Sequence, residues 1–93
     1  MVNKGELIDA VARNTGQSKA LAGTIVDETF DVIMSGVVSH GKVQITGFGT
    51  FEARDRKARQ ARNPQTGAAV NVAATRVPAF KAGQAFKDKV KPG

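Results

Sequence analysis

Between Arg54 and Thr75 the chain has only two sizeable apolar side chains, Val70 and Val72, with which to attach itself to a core. The stretch still reads as a hairpin. A strand is expected from Thr50 to Ala58, with Phe51 turned inward. Asn63-Pro64-Gln65-Thr66-Gly67 is then a strong turn signal, because proline presets φ and glycine permits φ > 0. Val70 and Val72 mark a returning strand that ends near Val77-Pro78-Ala79-Phe80. Ten residues at strand rise, Arg54 to Asn63, span about 33 Å. A compact body of this length has a radius of gyration near ~12 Å. The hairpin is therefore expected to project from the body. A lone two-stranded ribbon is marginal in water, so it should be mobile until it binds something.

Subtracting this arm leaves about 70 residues for a core, a size at which small domains usually need added support. The 93-residue chain has no cysteine, so neither a disulfide nor a thiolate metal site can supply it. Oligomerisation remains. Asn3 with Glu6 resembles a capping box, and Leu7, Ile8, Val11 and Ala12 follow at helical spacing up to Gly16. Ser18 can cap a second helix ending at Gly41. Its apolar stripe runs through Leu21, Ala22, Ile25, Val26, Phe30, Ile33, Met34 and Val37, wider than the first helix can cover. Gly36 inside that helix costs about 1 kcal/mol relative to alanine unless it serves close packing. Val43 and Ile45 then alternate with polar neighbours as on a half-buried strand, Gly47-Phe48-Gly49 makes a tight turn, and a short helix over 83–90 closes the chain. Pro78 lacks a donor N–H and suits a strand edge or end. The surplus helical stripe, with Phe48, Phe51 and Phe80, could form an oligomer surface, and a two-fold dimer is the expected symmetry.

The charge is unevenly placed. The formal net charge is +6, from 14 Lys+Arg against 8 Asp+Glu. Residues 1–50 carry four bases (Lys4, Arg13, Lys19, Lys42) and five acids; residues 51–93 hold the other ten bases and three acids. Arg54, Arg56, Lys57, Arg59 and Arg62 crowd nine positions against Asp55 alone. A solvated edge strand would use such charge to avoid aggregation, but arginine forks concentrated on a projecting hairpin suit phosphate oxygens and base edges. The expected partner is nucleic acid.

Other classes are poorly served. No uninterrupted apolar run exceeds three residues, so neither a membrane span nor a secretory signal is expected, and the expected compartment is the cytosol. The single histidine, His40, ends the second helix, where it suits the helix C-terminus better than base catalysis. With no cysteine and no second histidine, no metal site, cofactor or small-molecule substrate is expected, and the chain is not expected to be an enzyme. Gly47-Phe48-Gly49 lacks the third glycine of a dinucleotide loop. The acids Asp27, Glu28 and Asp31 read as a solvated face or as salt-bridge partners of Lys4.

Three motifs carry a resemblance over nearly the whole chain: Gly47-Phe48-Gly49-Thr50-Phe51, the apex Ala61-Arg62-Asn63-Pro64-Gln65-Thr66-Gly67, and Val77-Pro78-Ala79-Phe80-Lys81-Ala82-Gly83 followed by Phe86-Lys87. In order and spacing they resemble the bacterial HU / integration host factor family of histone-like, DNA-bending proteins, and Asn3-Lys4-Gly5-Glu6-Leu7 is similar to HU. The resemblance implies an α+β fold. It comprises an N-terminal helical hairpin, a three-stranded antiparallel sheet with a long β-ribbon arm and a short C-terminal helix, in an intertwined dimer. Residues 1–93 would form one domain: 1–40 for dimerisation, 41–53 and 76–93 for the saddle and last helix, and 54–75 for the arm.

The resemblance also implies roles. Pro64 would be the wedge inserted between base pairs, although on the residues alone it reads as a turn proline. Arg62 and Asn63 would enter the minor groove, with Arg54, Arg56, Lys57, Arg59 and Arg76 along the arm and its base. Lys4, Lys81 and Lys87 would meet phosphates on the body. Phe48, Phe51 and Phe80 would join the helix-2 residues Phe30 and Ile33 in the dimer core. The returning strand, Ala68 to Ala74, departs from many relatives by carrying no charge. The implied function is non-enzymatic binding and bending of duplex DNA with little sequence preference, in a homodimer or a heterodimer with a paralogue, on the bacterial nucleoid. The alternatives are a nucleic-acid binder acting also or mainly on RNA, a sequence-preferring bender like integration host factor, and a scaffold whose basic region is incidental.

Overall fold

The computed structural model describes residues 1–92; the expected single-domain span ends on Gly93, outside them. The elements are α1 (Lys4–Thr15), α2 (Lys19–His40), β1 (Lys42–Ile45), β2 (Gly49–Arg56), β3 (Arg59–Arg62), β4 (Ala69–Val72), β5 (Thr75–Ala82) and α3 (Gln84–Val90). Two compact units divide within α2, between Ser35 and Gly36.

In the first unit both helix starts are capped as expected. The Glu6 N–H donates to Asn3 Oδ1 at 2.9 Å, and the Leu21 N–H donates to Ser18 Oγ at 3.1 Å. α1 ends at Gly16, whose N–H reaches the Ala12 carbonyl. Ile8 lies over Gly23, where a Cβ would stand 3.8 Å from its methyl carbons. The buried apolar residues among those described are only Ala12, Ala22 and Val26, all in this unit. Leu21, Ile25, Phe30 and Met34 stay 43–58% exposed.

In the second unit β1, β2 and β5 form an antiparallel sheet in the order β1-β2-β5. β5 is an edge strand, which tolerates Pro78. Gly36 answers the question its sequence position raises: a Cβ there would come within 2.7 Å of Val43 Cγ2. The helix forgoes propensity so that its last turns can approach β1. At Gly49 a Cβ would meet the Lys81 carbonyl and the Phe80 ring at 2.6 Å, so no side chain fits.

The expected strand Thr50–Ala58 is corrected by the structure. β2 stops at Arg56, and β3 resumes at Arg59 in a separate two-stranded sheet with β4. The returning strand is likewise divided, at Ala73 and Ala74, and then runs to Ala82 rather than ending near Phe80. The register does not slip: Arg56 pairs with Thr75 and Arg59 with Val72, so Lys57-Ala58 face Ala73-Ala74 one for one. Alanine has little to pack across a pleat, so the ladder lapses there.

Candidate nucleic-acid interface

Alternation along the strands sorts the expected site residues onto two faces. Thr50, Glu52, Arg54 and Arg56 of β2 share a face with Lys42 of β1 and Lys81 of β5, through the pairs Lys42↔Glu52 and Thr50↔Lys81. In the ribbon, Gln60 and Arg62 of β3 share a face with Asn71 of β4. The opposite face carries Phe51, Asp55, Arg76 and Phe80, and in the ribbon Arg59, Ala61, Val70 and Val72. Lys57 lies in the break. Pairing thus puts Arg54, Arg56 and Lys81 on one face of the three-stranded sheet and Arg76 on the other, and it puts Arg62 and Arg59 on opposite faces of the ribbon. All of these cations are exposed.

Their partners differ. Arg54 donates from Nε (3.0 Å) and Nη2 (2.8 Å) to Glu52 Oε1, and Lys42 Nζ lies 4.0 Å from the other carboxylate oxygen. The Arg54 hydrogen bond, with the smaller attraction of nearby cations, holds the Glu52 carboxyl below its ordinary range despite its partial burial. Arg76 turns to the far side: Nη1 donates to the Val38 carbonyl of α2 at 3.3 Å, and Nε lies 3.9 Å from Asp55. It ties the base of the ribbon to the end of that helix. Lys4, in the first unit, is paired with Asp27, whose hydrogen bond and charge raise the lysine's pKa. No ion pair involves Arg56, Lys57, Arg59, Arg62, Lys81 or Lys87 among the described residues.

The ribbon tip is closed by its own chemistry. Asn63 Oδ1 accepts from the Gln65 N–H (2.9 Å), the Gly67 N–H donates to the Asn63 carbonyl (2.7 Å), and the Asn63 N–H donates to the Ala68 carbonyl (2.9 Å). Gly67 has φ +71°, which a side chain would strain. Arg62 Nη1 donates to the Gly67 carbonyl at 3.1 Å, which holds the guanidinium beside the turn. Asn63 is half-buried and Pro64 is exposed at the apex.

Below the sheet, Phe48, Phe51 and Phe80 form the expected aromatic cluster, with Phe51–Phe80 centroids at 4.7 Å and Phe48–Phe80 at 5.2 Å. Phe86 of α3, read from sequence only as an apolar helix position, stacks on Phe48 at 5.3 Å. Its place beside Lys87 in the third motif was the available signal. Phe48 and Phe80 nonetheless remain 42% and 41% exposed.

A family model described as bacterial DNA-binding protein matches residues 2–91. The chain is 52% identical over 90 residues to DNA-binding protein HU-1 of Halalkalibacterium halodurans, covering 97% of this chain and all of that protein. It is 47% identical over 91 residues to DNA-binding protein HU of a Nostoc species, covering 98% and 97%. Among solved structures, an Anabaena HU–DNA cocrystal matches with TM-score 0.89 at 47% identity, over 99% of this chain and all of the other. HU from Thermotoga maritima matches with TM-score 0.67 at 34% identity, over 97% and 100%.

Proposed function

Because this chain belongs to the family of bacterial DNA-binding proteins, we propose that it is a non-enzymatic architectural protein that grips duplex DNA in the minor groove and bends it. The observation that carries this reading is the hairpin: exposed Arg54 and Arg56 on its sheet part, exposed Arg59 and Arg62 on its ribbon part, and an exposed proline at its tip. The whole-length likeness to an HU solved with DNA supports it.

The affinity comes mainly from phosphate neutralisation by the cations without acid partners. At the tip, a proline ring is a rigid wedge with no N–H to leave unpaired. Unstacking a base step costs a few kcal/mol, offset because the kinked duplex touches more protein. Arg62 and Asn63, beside Pro64, offer donors to the minor-groove edges. These distinguish mainly A·T from G·C, so sequence preference is weak. Lys4, Arg54 and Arg76, each beside an acid (Asp27, Glu52 and Asp55), have part of their charge already offset and contribute less to that neutralisation. The same assignment places the protein in the cytoplasm on the bacterial nucleoid, where it helps compact the chromosome.

The chain acts as a dimer. Burying a large aliphatic or aromatic side chain contributes about 1.5–3 kcal/mol, and Ile25, Phe30, Met34, Phe48 and Phe80 are all 41–58% exposed in the single chain. A second copy or a paralogue covering them, with Ile33 and Phe51, yields two arms. If about five cations per chain reach phosphates, log K falls against log salt with a slope near −9. A slope shallower than about −3 overturns the two-arm assignment. Competition with double-stranded RNA completes the test: nicked or bent duplex DNA should win, and preference for the RNA would replace this reading with the RNA-binding one.

A further inference from the structure

Midway along the ribbon the basic face is interrupted by two uncharged amides. Gln60 and Asn71 are register partners, so they stand opposite each other on the face shared with Arg62. Gln60 Nε2 lies 3.5 Å from Asn71 Oδ1, the outer limit of a hydrogen bond, and both side chains are exposed. Such a bond does little to hold two strands together. Asn71 Oδ1 accepts from Gln60 Nε2, while Gln60 Oε1 has no hydrogen-bond partner among the described residues. On the β3–β4 part of this face that oxygen is the uncommitted side-chain acceptor, since Arg62 carries donors only.

The minor groove is where such an acceptor matters. Adenine N3 and thymine O2 are acceptors, and the guanine 2-amino group is the donor there. A face made only of cations satisfies A·T edges and leaves the guanine amino group without a partner. We propose that Gln60, opposite Asn71 on the face that Arg62 shares, is a base-edge contact whose Oε1 accepts from the guanine 2-amino group, so that the ribbon accommodates G·C pairs. This rests on the assignment of Arg62 to the minor groove, because the amides share its face.

Inosine lacks only that amino group. Binding of the full chain is measured on two duplexes identical except that every guanine of one is inosine in the other. The wild type is compared with Gln60→Met, which keeps the length without the amide, and with Gln60→Lys, which replaces an acceptor with a donor. Inosine also softens the duplex, but that contribution is common to the three proteins and cancels in the comparison. The ratio of inosine Kd to guanine Kd should be about three- to tenfold higher for the wild type than for either variant, the effect of one hydrogen bond. Equal ratios in all three proteins overturn the proposal while leaving DNA binding in place. Failure of the wild type to bind either duplex overturns the functional reading itself.

Discussion

At the scale of single residues, the chain places special demands at a few points. Pro64 stands at the ribbon apex while Asn63, Gly67 and Ala68 close the turn around it. Pro64→Ala should therefore keep the turn and most affinity for straight duplex while losing bending. Energy transfer between dyes on the duplex ends reads this directly, and equal transfer with both proteins removes Pro64 from the mechanism. Gly36 tests a competition of magnitudes. Alanine there gains about 1 kcal/mol of helix propensity, but its Cβ would stand 2.7 Å from Val43 Cγ2, and overpacking of that kind costs about 1–3 kcal/mol. Gly36→Ala should lower Tm by several degrees, and in a Val43→Ala background the same change should raise it. Thermal melts of the four proteins settle the sign.

At the scale of elements, the sheet and the ribbon are one hairpin of two strengths. β2 and β5 pair over eight positions with aromatic cover from Phe51 and Phe80. β3 and β4 pair over four, with Ala61, Val70 and Val72 as their apolar face and Val70 44% exposed. Amides from Arg59 to Val72 should exchange hydrogen within the fastest class in the free protein, whereas those of β2 and β5 near Phe51 and Phe80 persist. Adding duplex DNA should slow the ribbon amides selectively. Protection of the ribbon already in the free protein would mean that it is stabilised by something other than DNA. The hairpin and its turn were legible, from the turn signal at Asn63–Gly67 and the valines of the returning strand. The lapse at Lys57-Ala58 was not, because alternation continues through it and only the missing ladder partners reveal it.

At the scale of the whole molecule, the decisive quantity is the apolar surface left uncovered. The only buried apolar side chains among the described residues are Ala12, Ala22 and Val26, too little to offset the ordering of about 90 residues. Tm should rise with protein concentration, and dilution should lower it, as folding coupled to dimerisation requires. A Tm independent of concentration over a hundredfold range would mean a self-sufficient monomer. The sequence by itself determined the helix caps at Asn3 and Ser18, the turn at Asn63–Gly67, the concentration of positive charge in the second half and the need for a partner chain. These follow from local chemistry and from arithmetic on length and apolar content. The tertiary structure alone decided which cations share a face. Arg54 and Arg76 look equivalent in sequence, yet pairing places them on opposite faces of the sheet, one beside Glu52 and the other on the Val38 carbonyl. It likewise placed Gln60 against Asn71, because register joins residues eleven positions apart that no local pattern connects.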